Sequence, residues 1–214
     1  MTSGEALNLY PDVAASDLRL PSVERGMRIG LFGGSFNPPH EGHLLVAETA
    51  LRTLGLDRVW WMVTPGNPLK DHSHLAPLHK RIDASRALIE DQRITVTAFE
   101  AGYRVRYTAD TVRLVLSRSR GARFVWLMGA DNMTGFHRWQ EWRRIAEAIP
   151  IAVIDRPGST LSYLSSKFAI SYSWARVNED EAASLPFHKP PAWTFLHGPR
   201  SSQSSTALRA LSTG

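Results

Sequence analysis

The sequence predicts an α/β protein with a doubly wound, mainly parallel sheet of about six strands and helices on both faces. Three observations predict this class. Short apolar runs rich in β-branched and aromatic residues recur along the chain, amphipathic stretches with helical spacing separate them, and the first such group is a complete β–α–β unit. Strands that alternate with helices pair in parallel, because each helix returns the chain to the start of the next strand.

Six apolar runs predict the strands, and four amphipathic stretches predict the helices between them. The strands are expected at residues 27–32, 58–64, 94–99, 123–128, 151–154 and 193–196. The helices are expected at residues 43–54, 77–90, 108–117 and 139–149, where apolar side chains recur every three or four positions. Residues 158–191 are rich in serine and proline and fit neither period, so they predict one short helix with long connections.

Length and composition predict one globular domain. The chain has 214 residues, of which 43% are hydrophobic, enough for one core in residues 27–214. Residues 1–26 show no clear period and predict a flexible N-terminal arm. The arm carries acidic residues and no continuous apolar segment, and no apolar run approaches the roughly 20 residues of a membrane helix, so a cytoplasmic location without membrane contact is expected.

Charge and cysteine content narrow the classes of function. The chain has no cysteine, which excludes disulfides, thiolate metal sites and thiol nucleophiles. Its net charge of +5 allows an anionic ligand. A non-catalytic nucleic-acid-binding domain is the alternative from a different class, but the basic residues are scattered and no nucleic-acid-binding motif is present, so no nucleic-acid partner is expected.

The loop after the first strand, residues 33–43, is the segment richest in chemistry. Gly33 and Gly34 would let the main chain approach a ligand without a Cβ atom in the way. His40 and His43 are three residues apart, so at the start of a helix they project from one side, beside the unpaired N–H groups and the positive end of the dipole. Phosphate binds at such helix ends. Gly42, between the histidines, would leave room for a nucleotide.

Two other motif classes do not fit this loop. It lacks the spacing of the dinucleotide fingerprint, and the chain contains no phosphate loop of the Walker type. A zinc site is the alternative for the histidines, but their spacing differs from H-E-x-x-H and no third ligand follows at a recognisable distance. No metal site built from protein ligands is therefore expected.

Residues Gly33-Gly34-Ser35-Phe36-Asn37-Pro38-Pro39-His40-Glu41-Gly42-His43 resemble the signature of the H-x-G-H nucleotidyltransferase superfamily, and specifically of bacterial nicotinate-nucleotide adenylyltransferases. The resemblance implies a Rossmann-like fold. It also implies transfer of the adenylyl group of ATP, which carries Mg²⁺, to nicotinate mononucleotide, giving deamido-NAD and pyrophosphate in NAD biosynthesis. His40 and His43 would be catalytic, and Gly33, Gly34, Ser35, Phe36 and Gly42 would bind ATP.

The residues themselves separate acid from amide poorly, so nicotinamide mononucleotide stays open as the acceptor. Phosphopantetheine is a further alternative within the same fold. Oligomeric state is not indicated by the sequence.

A second candidate phosphate site lies near the C-terminus. Serine and threonine suit a helix N-terminus, and Arg209 follows Thr206 and Ser205 at three and four residues, on one face. Ordinary N-capping of a last helix is the alternative. The segment resembles the second motif of the family, Ile-Ser-Ser-Thr-x-Ile-Arg, with Gln203 and Leu208 as departures. The resemblance implies that Ser204, Ser205 and Thr206 bind ATP and that Arg209 is catalytic.

The remaining site residues come from the same resemblance. Gly129 and Asp131, after the fourth strand, resemble the family's Gly-x-Asp, where a carboxylate accepts hydrogen bonds from ribose. Trp142, three residues after Trp139, is expected in the core. Six residues would bind the mononucleotide, with Trp139 stacking on the pyridine ring and the tyrosine–threonine pair near the nicotinate carboxylate: Asn67, Lys70, Tyr107, Thr108, Trp139 and Arg156.

Overall fold

The computed structural model describes residues 9–66, 75–155 and 162–198. Within these residues six strands form one sheet in which every pair is parallel. The spatial order is β3-β2-β1-β4-β5-β6, which confirms the predicted Rossmann-like architecture. The strands are β1 (Arg28–Gly34), β2 (Arg58–Val63), β3 (Ile94–Thr97), β4 (Arg123–Gly129), β5 (Ile151–Ile154) and β6 (Trp193–Leu196).

Most strand residues are buried, and the last two strands have the predicted bounds. Strands covered on both faces are apolar along their whole length, which is why runs such as 58–63 and 151–154 were recognisable. In the register, Gly33 of β1 lies beside Met62 of β2, and Phe32 lies beside Leu127 of β4. The carboxyl ends of these three strands therefore meet at one edge of the sheet.

Seven α-helices are described, and none of the described helices is long and apolar enough to cross a membrane. The four predicted helices are observed, with bounds shifted by a few residues. The helices are α1 (Glu41–Thr53), α2 (Leu78–Leu88), α3 (Phe99–Gly102), α4 (Thr108–Arg118), α5 (Ala130–Met133), α6 (Trp142–Ala148) and α7 (Lys167–Ser171).

The predicted start of the fourth helix at residue 139 is wrong. Glu141 takes a left-handed conformation with φ of 54°, so α6 begins only at Trp142. Before it, residues Phe136–Arg138 form a 3-10 helix, and Trp139 is extended.

The region 158–191 holds more helical structure than the single short helix that its sequence predicts. Besides α7, it contains 3-10 helices at Ser162–Ser165, Ser173–Ala175 and Glu179–Phe187. These segments escape a search for the 3.6-residue period, because side chains in a 3-10 helix repeat every three residues.

The sheet separates two apolar cores, so helices cover both faces as predicted. On one face, Val46 of α1 and Ile82 of α2 pack with Trp61. On the other face, Val112 of α4 and Ile145 of α6 pack in the second cluster.

Part of the predicted flexible arm packs on the first core. Val13 and Leu18 are buried there, and the main-chain oxygen of Asp17 accepts a hydrogen bond from the Ala98 amide at 2.8 Å. The Asp17 carboxylate pairs with Arg86 on α2. Apolar positions this isolated in the sequence give no period, which is why these contacts were not expected. The division into an arm and one domain stays a prediction.

The contact between this segment and α3 predicts the effect of one substitution. A Cβ atom at Gly102 would lie 2.0 Å from the main-chain oxygen of Leu18, so Gly102→Ala must displace the segment. We expect it to lower the free energy of unfolding by about 1–3 kcal/mol in urea denaturation. Gly135→Ala is the matched control, because its Cβ would meet only the flexible guanidinium end of Arg138. Equal stability of the two variants would contradict this packing.

Candidate active site

The candidate site lies where the strand order reverses, at the carboxyl ends of β1 and β4. Ligands of open parallel sheets bind in the crevice at this position. β1 ends at Gly34 and leads through its loop into α1, while β4 ends at Gly129 and leads directly into α5. The reversal thus places the predicted site segments that begin at Gly33 and at Gly129 at the ends of neighbouring strands.

His40 and His43 lie together at the start of α1, as their spacing predicts. The centroids of the two imidazole rings are 3.8 Å apart, with 37° between their planes. His40 is the residue that precedes the helix, it is buried, and its carbonyl oxygen accepts a hydrogen bond from the His43 amide at 2.8 Å. This first turn fixes both side chains at the positive end of the helix dipole, an arrangement suited to an anion.

An aromatic cluster holds the His43 ring. Phe36 is buried; its ring stacks on Trp61 with centroids 4.2 Å apart and meets His43 edge-on at 5.0 Å. Its backbone has φ of +43°, a strain of roughly 1–3 kcal/mol for a bulky residue. Aromatic pairs contribute about 0.5–1.5 kcal/mol each beyond burial, and Phe32 adds a third ring contact. These contacts offset the strain, and the Phe36 side chain contacts His43 rather than solvent.

The Cβ side of Gly33 and Gly34 faces aromatic rings of the protein, more closely at Gly34 than at Gly33. A Cβ atom at Gly34 would lie 2.9 Å from the Phe36 ring, and one at Gly33 would lie 3.3 Å from the ring of Trp126. The sequence argument expected these glycines to make room for a ligand. The structure assigns the Cβ side of both residues to aromatic rings, so any approach of ligand to this loop is to its main-chain groups.

Arg81 on α2 joins the loops around the site, and the sequence analysis missed it. Its buried guanidinium donates hydrogen bonds to the carbonyl oxygens of Ser35 (2.7 Å), Thr64 (2.8 Å) and Ala76 (2.8 Å). Burial lowers the pKa of Arg81 to about 10, which leaves it charged at neutral pH. The helical spacing puts Arg81 on the buried face with Leu78 and Ile82, but an arginine is mostly exposed in proteins, so its residue type gave no signal of burial.

On the opposite face of the sheet, Trp139 lies half-buried in an aromatic group. Its ring meets Phe136 at 5.2 Å and Trp126 at 6.4 Å, both edge-on. Trp142 is buried in the second core, as predicted. Both tryptophans contact the Phe136 ring, but Trp139 is extended and half-buried, whereas Trp142 is buried at the start of α6.

Tyr107 and Thr108 lie at the start of α4, on the same face of the sheet as Trp139. Tyr107 is the residue that precedes the helix, and its carbonyl oxygen accepts hydrogen bonds from the amides of Asp110 and Thr111. The Thr111 hydroxyl lies 2.5 Å from the carboxyl group of Glu100. Burial raises the pKa of Glu100 to about 7. Neither Glu100 nor Thr111 was singled out from the sequence.

Of the other predicted residues, Gly42 is buried in the first turn of α1, Gly129 is buried at the end of β4, and Asp131 is exposed on α5. Within the described ranges, no group of three histidine, aspartate or glutamate residues could hold a metal ion. Seven predicted site residues lie outside the described residues: Asn67, Lys70, Arg156, Ser204, Ser205, Thr206 and Arg209.

A family model defines the class to which this site belongs. The model described as cytidylyltransferase-like matches residues 31–211, most of the chain and all of the sheet beyond the first three residues of β1. The reversal of strand order and the paired histidines after β1 lie within the matched region. The chain is therefore a cytidylyltransferase-like protein.

Relatives of known name specify the family further. A protein of Rhizobium meliloti (strain 1021) named "Probable nicotinate-nucleotide adenylyltransferase" is 63% identical over 188 residues, which cover 88% of this chain and 100% of the relative. A protein of the same name from Mesorhizobium japonicum is 58% identical over 195 residues, 91% of this chain and 100% of the relative. The chain belongs to the nicotinate-nucleotide adenylyltransferase family.

A solved structure shares the fold at low sequence identity. Plasmodium falciparum nicotinic acid mononucleotide adenylyltransferase complexed with NaAD superposes with a TM-score of 0.66 and 17% identity, over 86% of this chain and 83% of that one. At this identity the likeness supports the fold alone.

The hydrogen bonds of Arg81 predict a stability effect. In Arg81→Met, three carbonyl oxygens lose a charged donor in a buried place, so we expect unfolding to require about 2–4 kcal/mol less free energy. Arg52→Met, at an exposed arginine of α1, is the control and should change stability little. Chemical denaturation of the three proteins measures both. A variant as stable as the wild type would show that the guanidinium does not hold these loops.

Proposed function

We propose that this protein transfers the adenylyl group of ATP to nicotinate mononucleotide and releases pyrophosphate. An oxygen of the mononucleotide 5′-phosphate attacks the α-phosphorus of ATP in line. The bond from the α-phosphorus to the bridging oxygen breaks, so that deamido-NAD and pyrophosphate form without a covalent enzyme intermediate. The attacking group is already an anion, so the protein needs to position the phosphates and neutralise their charge more than it needs a strong base.

The observation that carries this proposal is the pair of imidazole rings, 3.8 Å apart, at the start of α1 and beside the point where the strand order reverses. Two rings at this distance, at the N-terminal end of a helix, present several donors to one polyanion. The 63% identity to the relative from Rhizobium meliloti supports the same reaction.

His40 and His43 would donate hydrogen bonds to the triphosphate as negative charge shifts to the leaving pyrophosphate. The buried contacts of Phe36 and Trp61 fix the His43 ring before substrate arrives, so little reorganisation is needed during the reaction. Main-chain groups of Gly33, Gly34 and Ser35 would border the phosphates, and Asp131 would accept hydrogen bonds from ribose. Ser204, Ser205, Thr206 and Arg209 complete the proposed phosphate site from the C-terminal segment.

The mononucleotide would bind on the face of the sheet that carries Trp139. Its pyridine ring would stack on Trp139, and its carboxylate would lie near Tyr107 and Thr108 at the start of α4. Helix N-terminal amides favour a carboxylate, which supports the acid over the amide as substrate. Asn67, Lys70 and Arg156 are proposed around the phosphate of the mononucleotide.

Mg²⁺ is proposed to enter with ATP. It binds through phosphate oxygens and water with few protein ligands, and the described residues gather no set of three ligands for it. When bound, it would neutralise charge on the phosphates. A cytoplasmic location belongs to the same proposal.

A substitution at His43 tests the reaction. With ATP, Mg²⁺ and nicotinate mononucleotide, we expect wild-type protein to release pyrophosphate, and His43→Ala to lower kcat about 10²- to 10³-fold, the usual loss for one donor to a developing charge. Pyrophosphate release is measured separately with nicotinate and with nicotinamide mononucleotide.

His188→Ala is the matched control, because His188 is exposed and its side chain bonds only to Ser184 among the partners described for it. Near-normal turnover by His43→Ala would show that His43 does not take part in the reaction. Faster release with the nicotinamide substrate would reverse the choice of acceptor.

Trp139 provides a test of the acceptor site alone. Loss of a stacking surface in Trp139→Ala should raise KM for nicotinate mononucleotide about tenfold or more and leave KM for ATP nearly unchanged. Trp139→Phe keeps an aromatic face and should recover most of the affinity. Trp174→Ala, at a tryptophan that is 74% exposed, is the control for loss of an indole. A parallel rise of both KM values would place Trp139 outside the acceptor site.

A further inference from the structure

Glu100 is a buried carboxyl group that the proposed reaction does not use. It lies on α3, its residue is 7% exposed, and its carboxyl oxygen is 2.5 Å from the hydroxyl of Thr111 on α4. A buried carboxylate is costly unless hydrogen bonds satisfy it, and a carboxyl group in such a place tends to hold its proton. Its location next to the start of α4 makes its protonation relevant to the acceptor site.

The charged groups on neighbouring segments pair with each other or face solvent. Asp17 pairs with Arg86, and Asp110 pairs with Arg113. Arg19, Arg104 and Arg106 are exposed, and the turn adds two titratable tyrosines, Tyr103 and Tyr107. Burial rather than a neighbouring charge therefore raises the pKa of Glu100 to about 7, and the Thr111 hydroxyl opposes this shift.

Thr111 has one hydroxyl proton and two acceptors within reach. Its oxygen lies 2.5 Å from the Glu100 carboxyl group and 3.3 Å from the carbonyl oxygen of Tyr107. One O–H group donates one hydrogen bond at a time, although its oxygen can accept others. The two bonds are therefore alternatives, and the shorter one goes to Glu100.

A proton on Glu100 changes which of the two bonds forms. The ionised carboxylate only accepts, so it takes the hydrogen of Thr111. The protonated carboxyl group can donate its own hydrogen to the Thr111 oxygen. The Thr111 hydroxyl is then free to donate to the carbonyl oxygen of Tyr107.

We propose that Glu100 is a positioning residue of the acceptor site, which through Thr111 tightens or releases the Tyr107–Thr108 start of α4 according to its protonation. This inference rests on the proposed function, in which Tyr107 and Thr108 contact the mononucleotide. The rest of the segment is held independently. The Val105 amide binds the Glu100 carbonyl oxygen at 2.8 Å, and Gly102 packs against Leu18. The amides of Asp110 and Thr111 bind the Tyr107 carbonyl oxygen whatever the state of Glu100, so the Thr111 hydroxyl is the contact at this helix start that changes with that state.

The test compares the pH dependence of KM for nicotinate mononucleotide between wild type and Glu100→Gln. Glutamine can donate to Thr111 at every pH, so the variant keeps the tightened arrangement. The wild type should match it near pH 6 and show a KM about fivefold higher near pH 8.5, the equivalent of one neutral hydrogen bond. Titration of the substrate and of the histidines is common to both proteins and cancels in the ratio.

Three further variants separate positioning from general stability. Thr111→Val lacks the hydroxyl and should give a raised KM without this pH dependence, whereas Thr111→Ser should restore the wild-type profile. Glu147→Gln removes another carboxylate that accepts a hydroxyl, that of Tyr172, and should follow the wild type at every pH. These measurements also decide the question if Glu100→Gln does not fold.

Stability gives an independent readout with a known sign. The folded protein binds the Glu100 proton more tightly than the unfolded chain, because the pKa rises from 4.5 to about 7 on folding. This contribution is complete below about pH 4.5 and is lost as pH rises through 7. The Tm of wild type relative to Glu100→Gln should therefore fall over that range.

Two outcomes are distinguished by these experiments. A constant ratio of KM between wild type and Glu100→Gln from pH 6 to 8.5, in a wild type that turns over, would overturn the positioning role alone. A wild type that releases no pyrophosphate with nicotinate mononucleotide would overturn the proposed function.

Discussion

The site depends on one constraint, the reversal of strand order between β1 and β4. Because all six strands are parallel, every connection after a strand begins at the same edge, and the reversal sends the chains after β1 and β4 to opposite sides of it. The histidines therefore approach from the face covered by α1 and α2, whereas Trp139 and the start of α4 lie on the other face. In the proposed reaction, the phosphates of the two nucleotides would meet between these two faces.

The histidine face is built to be rigid. Phe36 has a strained backbone conformation that places its ring against Trp61 and His43, and this ring lies where a Cβ atom of Gly34 would be. Arg81 then fixes the loops after β1 and β2 through main-chain oxygens, which do not depend on the identity of the loop side chains. Histidine side chains held in place in this way suit the stabilisation of negative charge, since they lose little freedom when the polyanion binds.

The fold and the histidine pair could be predicted from the sequence because both are periodic signals. Strand β5 is an uninterrupted apolar run and β6 contains one polar residue, Thr194, and the three-residue spacing of His40 and His43 places them on a common side once a helix begins there. Other features arise from contacts between distant residues. The left-handed Glu141 that delays α6 and the packing of Leu18 against Gly102 have no local pattern. The helical spacing places Arg81 on the buried face but does not show which distant carbonyl oxygens accept its hydrogen bonds. The sequence argument expected Gly33 and Gly34 to admit a ligand and could not show the rings of Phe36 and Trp126 on their Cβ side, because these contacts form only in the folded protein.

The proposed acceptor face, which carries Trp139 and the start of α4, differs from the histidine face in the residues that control substrate binding. In the proposed site, the pyridine ring would stack on Trp139, an extended residue outside regular helix. The polar end would be the start of α4, where the Tyr107 carbonyl oxygen accepts hydrogen bonds from the amides of Asp110 and Thr111 and from the Thr111 hydroxyl. Two groups would therefore control acceptor binding in different ways. Stacking on Trp139 does not depend on pH, whereas the hydrogen bonds of Thr111 depend on the protonation of Glu100. A buried carboxyl group with a pKa near neutrality destabilises the fold when it is ionised, and the attack of an anionic nucleophile does not require it. In the proposed role, Glu100 next to the start of α4 makes the affinity for the acceptor depend on pH. It does so without placing a titrating group in contact with the phosphates.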